Sequence, residues 1–252
     1  MHDLPAPIRT VPLRPPARAT LATAAPSIDE LFDFMTEAEL RFETLRLRIV
    51  DERTTTEGQT SELHDVWLRH PGQAKVVTTR GDATDRDFEV WIGDGERVRT
   101  YDARMNSSAI RPQPARPAGS TDKRLPRFAR LYVPVTPLPP ESVVDTFIHP
   151  NGFTRNVLAT GVLTLRGTAE VNGREQILLR CDHPRTNHVL TDRPDHWLEV
   201  AVDRQIGLIL VLAEHVGDRM TRHARVTSMA VDEPIGGEAF QLHVSDDTRS
   251  LY

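Results

Sequence analysis

Period-two alternation, cut at short intervals by turn residues, runs through most of this chain and constrains its fold more than any other feature. It is clearest between Trp197 and Phe240. Leu198, Val200 and Val202 alternate with Glu199, Ala201 and Asp203, the pattern of a strand with one buried face. Residues 203–207 then supply a turn whose Gly207 accommodates a positive φ. A second strand over 208–215 reaches Gly217-Asp218, and a third over 220–229 ends at Pro234 and Gly236-Gly237. Consecutive strands joined by such short turns pair antiparallel.

The same grammar holds upstream. Leu45, Leu47 and Ile49 alternate with Arg46 and Arg48, and further strands are predicted over 63–69, 74–79, 88–92, 97–103 and near 109–111. Glu57-Gly58, Pro71-Gly72, Gly81-Asp82 and Asp94-Gly95 separate them. After a mid-chain break, strands resume over 162–171 and 175–181 around Asn172-Gly173, a strong hairpin signal. Repeated helical crossovers are missing from the pattern, which argues against a doubly wound α/β fold. Two helical stretches stand apart from the strands. Ser27 and Glu30 form a capping box ahead of a stripe of Ile28, Leu31, Phe32, Met35, Ala38 and Phe42. A second stretch starts near Pro140 and runs through Phe147 and Phe153 towards Leu158.

Two segments are neither. Residues 1–26, with five prolines in the first sixteen positions and Arg9, Arg14 and Arg18, read as a disordered Pro/Arg-rich tail preceding one domain over 27–252. Residues 112–140 carry recurrent prolines together with Arg116, Lys123, Arg124, Arg127 and Arg130. That run is either a solvated loop or a mobile basic lid for an anionic head group or a protein surface.

The chain has 252 residues and a net charge of −5, which argues against whole-protein attraction to nucleic acid. A stretch of about 20 apolar residues, long enough to span a membrane, is not found. The N-terminus also lacks the apolar run of about 7–15 residues of a signal peptide, so a cytoplasmic location is expected, with an extracytoplasmic one if the sequence is a processed form. Cys181 is the single cysteine, and its apolar strand makes it a small buried side chain rather than a nucleophile. Cys181, His183, His188 and His196 are the best metal-ligand grouping, but they lack the two compact pairs of a zinc site. His64 and His70 make a weaker case. Neither a G-x-S-x-G elbow nor a phosphate-binding glycine loop occurs. No catalytic residue, metal or cofactor is therefore expected. Trp67 and Trp91 lie out of phase with their β-branched neighbours, so both faces of the central strands need apolar cover.

Several of these motifs occur together in a known family. The hairpin VWIGDGERVRTYDA over 90–103, the strand ending in Val202-Asp203, the turn DRQIG, the strand VTSMAV and the closing DEP…F resemble the LolA/LolB-like lipoprotein-carrier superfamily. Actinobacterial lipid-binding lipoproteins of the LppX and LprG type and the sigma-factor regulator RseB share its fold. The resemblance covers roughly residues 27–243. It implies an α+β, mostly β fold: one curved antiparallel half-barrel sheet of about ten or eleven strands, covered by the N-terminal helix and a helical lid. It also implies non-catalytic binding or carriage of a lipid or acyl chain in an apolar cavity. Leu31, Phe32, Met35, Phe42, Trp67, Trp91, Phe147 and Phe153 would line that cavity. Two other classes remain open: a ligand-sensing regulator that binds a protein partner, as RseB does, and an enzyme.

Overall fold

The structure is a computed structural model and describes residues 21, 25–81, 87–113, 134–185, 195–242, 244 and 248–251. Helix α1 (Ile28–Thr36) and a 3-10 turn (Ala38–Arg41) lead into six strands: β1 (Thr44–Thr55), β2 (Gly58–Arg69), β3 (Gln73–Arg80), β4 (Phe88–Gly93), β5 (Arg97–Asp102) and β6 (Ser107–Pro112). Two short helices follow, α2 (Val143–Ile148) and α3 (Asn151–Asn156). Then come β7 (Val162–Val171), β8 (Arg174–Asp182), β9 (His196–Asp203), β10 (Ile209–Val216), β11 (Arg219–Val231) and the two-residue β12 (Arg249–Ser250).

Among the described residues, all twelve strands belong to one sheet in the order β12-β6-β5-β4-β3-β2-β1-β11-β10-β9-β8-β7. Two meanders, β1 to β6 and β7 to β11, meet where β1 pairs antiparallel with β11. The fold is thus the expected mostly-β curved sheet, with one strand beyond the expected range. That extra strand, β12, pairs parallel to β6 through only Arg249 and Ser250, too short to leave an alternation in the sequence. Register shifts interrupt the β1/β11, β10/β11, β9/β10 and β7/β8 ladders, and such bulges bend and twist a sheet locally.

Register decides which side chains face the helices. Leu45, Leu47 and Ile49 of β1 stand opposite Leu68, Val66 and His64 of β2, and these face Ala74, Val76 and Thr78 of β3. Val76 in turn opposes Trp91. In the second meander Cys181, Leu179 and Ile177 oppose Leu198, Val200 and Val202. These side chains form the inner face. They pack with Leu31, Met35, Phe42, Leu138, Val144, Phe147, Ile148 and Leu158 into one core.

The N-terminal helix begins as the sequence predicts. The Ser27 hydroxyl accepts from the Glu30 N–H, and the Glu30 carboxylate accepts from the Ser27 N–H at 2.8 Å. The helix lies against the β9–β10 turn at Gly207. That residue has φ 84°, and a Cβ there would stand 3.0 Å from the Phe34 carbonyl oxygen. Glycine is needed for both reasons.

The second helical stretch departs from its continuous reading. It is two helices broken at His149-Pro150, because a proline inside a helix has no N–H to donate and clashes with the preceding turn. Leu21, within the predicted tail, is partly buried against the core, and Pro26 is buried. Among the described residues no helix is long and apolar enough to cross a membrane.

Candidate functional site

The inner face is not packed uniformly. Over β1 and β8 to β10 it is closed by α1, α2 and the buried chain around Leu138. Over β3 to β6 it opens into a cleft of about 440 Å³. Val76, Trp91, Thr100 and Ala109 form its floor, and Pro139 and Val144 stand on the opposite wall. The floor residues are one row across the sheet: Val76 pairs with Trp91, Trp91 with Thr100, and Thr100 with Ala109. Gly93 makes the indole's position possible. It shares Trp91's face, and a Cβ on it would stand 2.6 Å from the ring carbon Cη2. The missing side chain lets Trp91 lie flat along its own strand.

One end of the cleft is polar. Glu62, His64, Thr78, Arg80 and Glu89 line it. Glu62 and Arg80 also border a neighbouring groove of about 700 Å³ with Asp51 and Arg53. Arg80 bridges Glu89 at 2.9 Å and Glu62 at 3.3 Å. Asp51 is fully buried, and both its oxygens accept from the Arg222 guanidinium at 2.9 Å. Arg53 adds a contact at 3.0 Å. Burial alone would raise the Asp51 carboxyl; Arg222 and Arg53 outweigh it and hold the group below the usual carboxylate range. Burial dominates at His64 and lowers its pKa, so the imidazole is neutral near pH 7.

A second buried polar group fixes the wall. The Glu39 carboxylate accepts from the Val135 N–H at 3.0 Å and stands 3.1 Å from His149 Nε2. His149 Nδ1 meets Asp145 at 2.8 Å. The Thr136 hydroxyl contacts His70 Nδ1 at 2.7 Å and accepts from the Gly72 N–H at 2.9 Å. The chain returning to α2 is thus clamped to the end of α1 and to the β2–β3 turn.

Of the eight apolar residues expected around a cavity, Trp91 lines the cleft. Leu31, Met35, Phe42 and Phe147 are buried in the core, and Phe32 and Phe153 pack partly buried against it. Trp67 stands on the other face of the sheet, between Arg46 and Lys75, with the Lys75 ammonium 5.8 Å from its ring centre. Arg116, Lys123, Arg124, Arg127 and Arg130 lie outside the described residues. The thiol of Cys181 sits 3.5 Å from the Leu158 carbonyl oxygen, and with His183 and His196 it forms no convergent ligand set among the described residues. His188 lies outside them.

Asp51 and Arg222 are site residues not singled out in the sequence, and His64 is only a weaker metal-ligand candidate there. Their signal was phase: Asp51 continues the inward series Leu45, Leu47, Ile49, and His64 continues Leu68 and Val66. A polar side chain on a buried phase marks a buried polar site.

No protein-family profile and no curated protein matches the sequence. Solved structures do. The MucA/MucB complex of Pseudomonas aeruginosa contains a chain that matches 85% of this one at 15% identity with a TM-score of 0.48; 60% of that chain is covered, so the match spans about three-fifths of the relative. The Mycobacterium tuberculosis lipoprotein LppX matches 83% of this chain and 99% of its own, at 11% identity and a TM-score of 0.41. A LolA superfamily protein from Nitrosomonas europaea matches 86% and 99%, at 8% identity and a TM-score of 0.35. These are likenesses of fold, and one of the structures, the Nitrosomonas europaea protein, is named for the LolA superfamily that the sequence resembles.

Proposed function

We propose that this chain binds and carries one acyl chain, or a similarly slender apolar moiety, in the cleft between β3–β6 and the start of α2, without chemistry on it. One observation carries the reading. Leu31, Met35 and Phe42 are buried in the core, yet the inner face leaves about 440 Å³ between the Val76–Trp91 floor and the Pro139–Val144 wall. That size falls in the range of small-ligand pockets, about 300–1,000 Å³. Burying a methylene contributes about 0.8 kcal/mol, so a chain of eight to ten carbons gains roughly 6–8 kcal/mol before the cost of association.

A head group fits the polar end beside Glu62, His64 and Arg80. The basic residues Arg116, Lys123, Arg124, Arg127 and Arg130 follow β6 in sequence and precede Pro139, and these two segments form opposite sides of the cleft. We assign that run the attraction of an anionic head group. The reading is non-catalytic. Burial pushes the Cys181 thiol up to about 11, which leaves it protonated and a poor nucleophile.

Native mass spectrometry of the protein purified from its own host tests this. The expected result is a bound species with a lipid's mass, released by organic solvent. Ligand-free protein, or a protein partner in place of lipid, overturns the reading; the second outcome supports the regulator class.

A further inference from the structure

We propose that Asp51, Glu62 and His64, where the polar end of the cleft meets the neighbouring groove, form a binding site for a divalent transition-metal ion of the zinc class. Among the described residues, their ligand atoms lie within 4.8 Å of one another. One imidazole and two carboxylates are a donor set that suits zinc and its neighbours better than calcium or magnesium, which prefer oxygen alone.

The second observation is the unanswered nitrogen of His64. The residue is only 5% exposed, and its Nδ1 is fixed by the Thr78 hydroxyl at 2.9 Å. Nε2 is buried without a hydrogen-bond partner among the described residues. It points at the Glu62 carboxylate from 3.6 Å, beyond hydrogen-bond reach. When Nδ1 carries the proton, the Nε2 lone pair faces a negative oxygen. That arrangement is repulsive unless a cation stands between the two. Thr78 orients the ring from behind, as partners of metal-bound histidines do.

Arg222 and Arg53 compete for Asp51 but do not use it up. Arg222 takes one lone pair on each oxygen and Arg53 a second on Oδ2, so Oδ1 keeps one for a metal. The guanidinium fork then holds the carboxylate in place. A tetrahedral ion with bonds of about 2.0 Å needs its ligands roughly 3.3 Å apart. The set must therefore close, and Glu62, whose side chain is 35% exposed, is the member free to move. Arg80, released by Glu62, retains Glu89 at 2.9 Å. Water completes the coordination.

The test is titration of the chelator-stripped full-length protein with zinc sulfate, read by competition with a chromophoric chelator and by the thermal midpoint. The expected result is one equivalent bound at about micromolar affinity or tighter, with a higher midpoint in zinc. His64→Gln and Glu62→Gln should each weaken binding at least roughly tenfold. His183→Gln should leave it unchanged. Glu62 is half-exposed, so its variant reports even where the His64 variant fails to fold. The proposal is overturned if the wild type binds no stoichiometric zinc, if folded Glu62→Gln binds as tightly as the wild type, or if His183→Gln is the variant that loses it.

Discussion

Glu39 and His149 meet inside the protein, Nε2 to Oε2 at 3.1 Å, with 1% and 3% of their side chains exposed. Their pairing joins the end of α2 to the turn after α1. The same carboxylate receives the Val135 N–H, so one buried charge pair sets where the cleft's wall begins. Burial alone would lower the His149 pKa. Asp145 and Glu39 reverse that and raise it to about 9. His70, 2.7 Å from Thr136, is pushed down to about 4 by burial.

These two histidines predict stability that falls on both sides of neutrality. A raised folded pKa contributes stability that is complete below the unfolded value of about 6.5 and is lost as pH rises to about 9. A depressed one contributes stability that is present above about 6.5 and lost as pH falls to about 4. Urea denaturation across pH 4–10 should therefore peak near pH 6–7. His149→Gln should flatten the alkaline arm and cost about 3 kcal/mol, because it leaves Glu39 buried without a cation. An unchanged alkaline slope in that variant contradicts the assignment.

The α1 stripe is predicted to behave as core. Met35 is fully buried, so Met35→Trp should destabilise the fold by roughly 1–3 kcal/mol. A denaturant midpoint equal to the wild type's would mean that unfilled space lies beneath α1.

Gly93 and Trp91 are predicted to act as a pair. In Gly93→Ala the new Cβ forces the indole off its strand and into the cleft. Uptake of a fluorescent acyl probe should fall about tenfold, with a stability cost near 1 kcal/mol. Wild-type uptake in this variant would place the ligand elsewhere.

The described part of the N-terminal tail is predicted to contribute modestly to stability. Leu21 packs partly buried on the core, and Pro26 is buried beside β7 and β8. Deleting residues 1–26 should lower the thermal midpoint by about 2–4 °C. No change would mean that these contacts stabilise nothing.

Much of the architecture was legible because local chemistry dictated it. Asn172-Gly173 takes φ 54° and 72°, Gly95 takes φ 91°, and each closes the hairpin its dipeptide signals. The site was less legible because it depends on register between strands. Trp67 and Trp91 look alike in sequence. Val66 rather than Trp67 pairs with Val76, and Val76 with Trp91, so one tryptophan faces the cleft and the other faces away. The β1–β2 hairpin also outruns its apolar pattern, since backbone pairing continues through Arg53 and Thr54 with exposed side chains. The Glu39–His149 pair joins residues more than a hundred positions apart, and nothing in either local stretch announces it.

Ala109→Trp separates an open, ligand-binding cleft from a packed face. Ala109 sits on the cleft floor near the sheet's edge, opposite Thr100. In a packed interior that much added bulk is destabilising; in an open cleft it costs little and displaces a ligand. An acyl-binding cleft requires saturable, one-to-one uptake of a fluorescent acyl probe by the wild type, and loss of that uptake in Ala109→Trp at an unchanged denaturant midpoint. A wild type that takes up no probe, or a stable variant that takes it up fully, would contradict such a cleft.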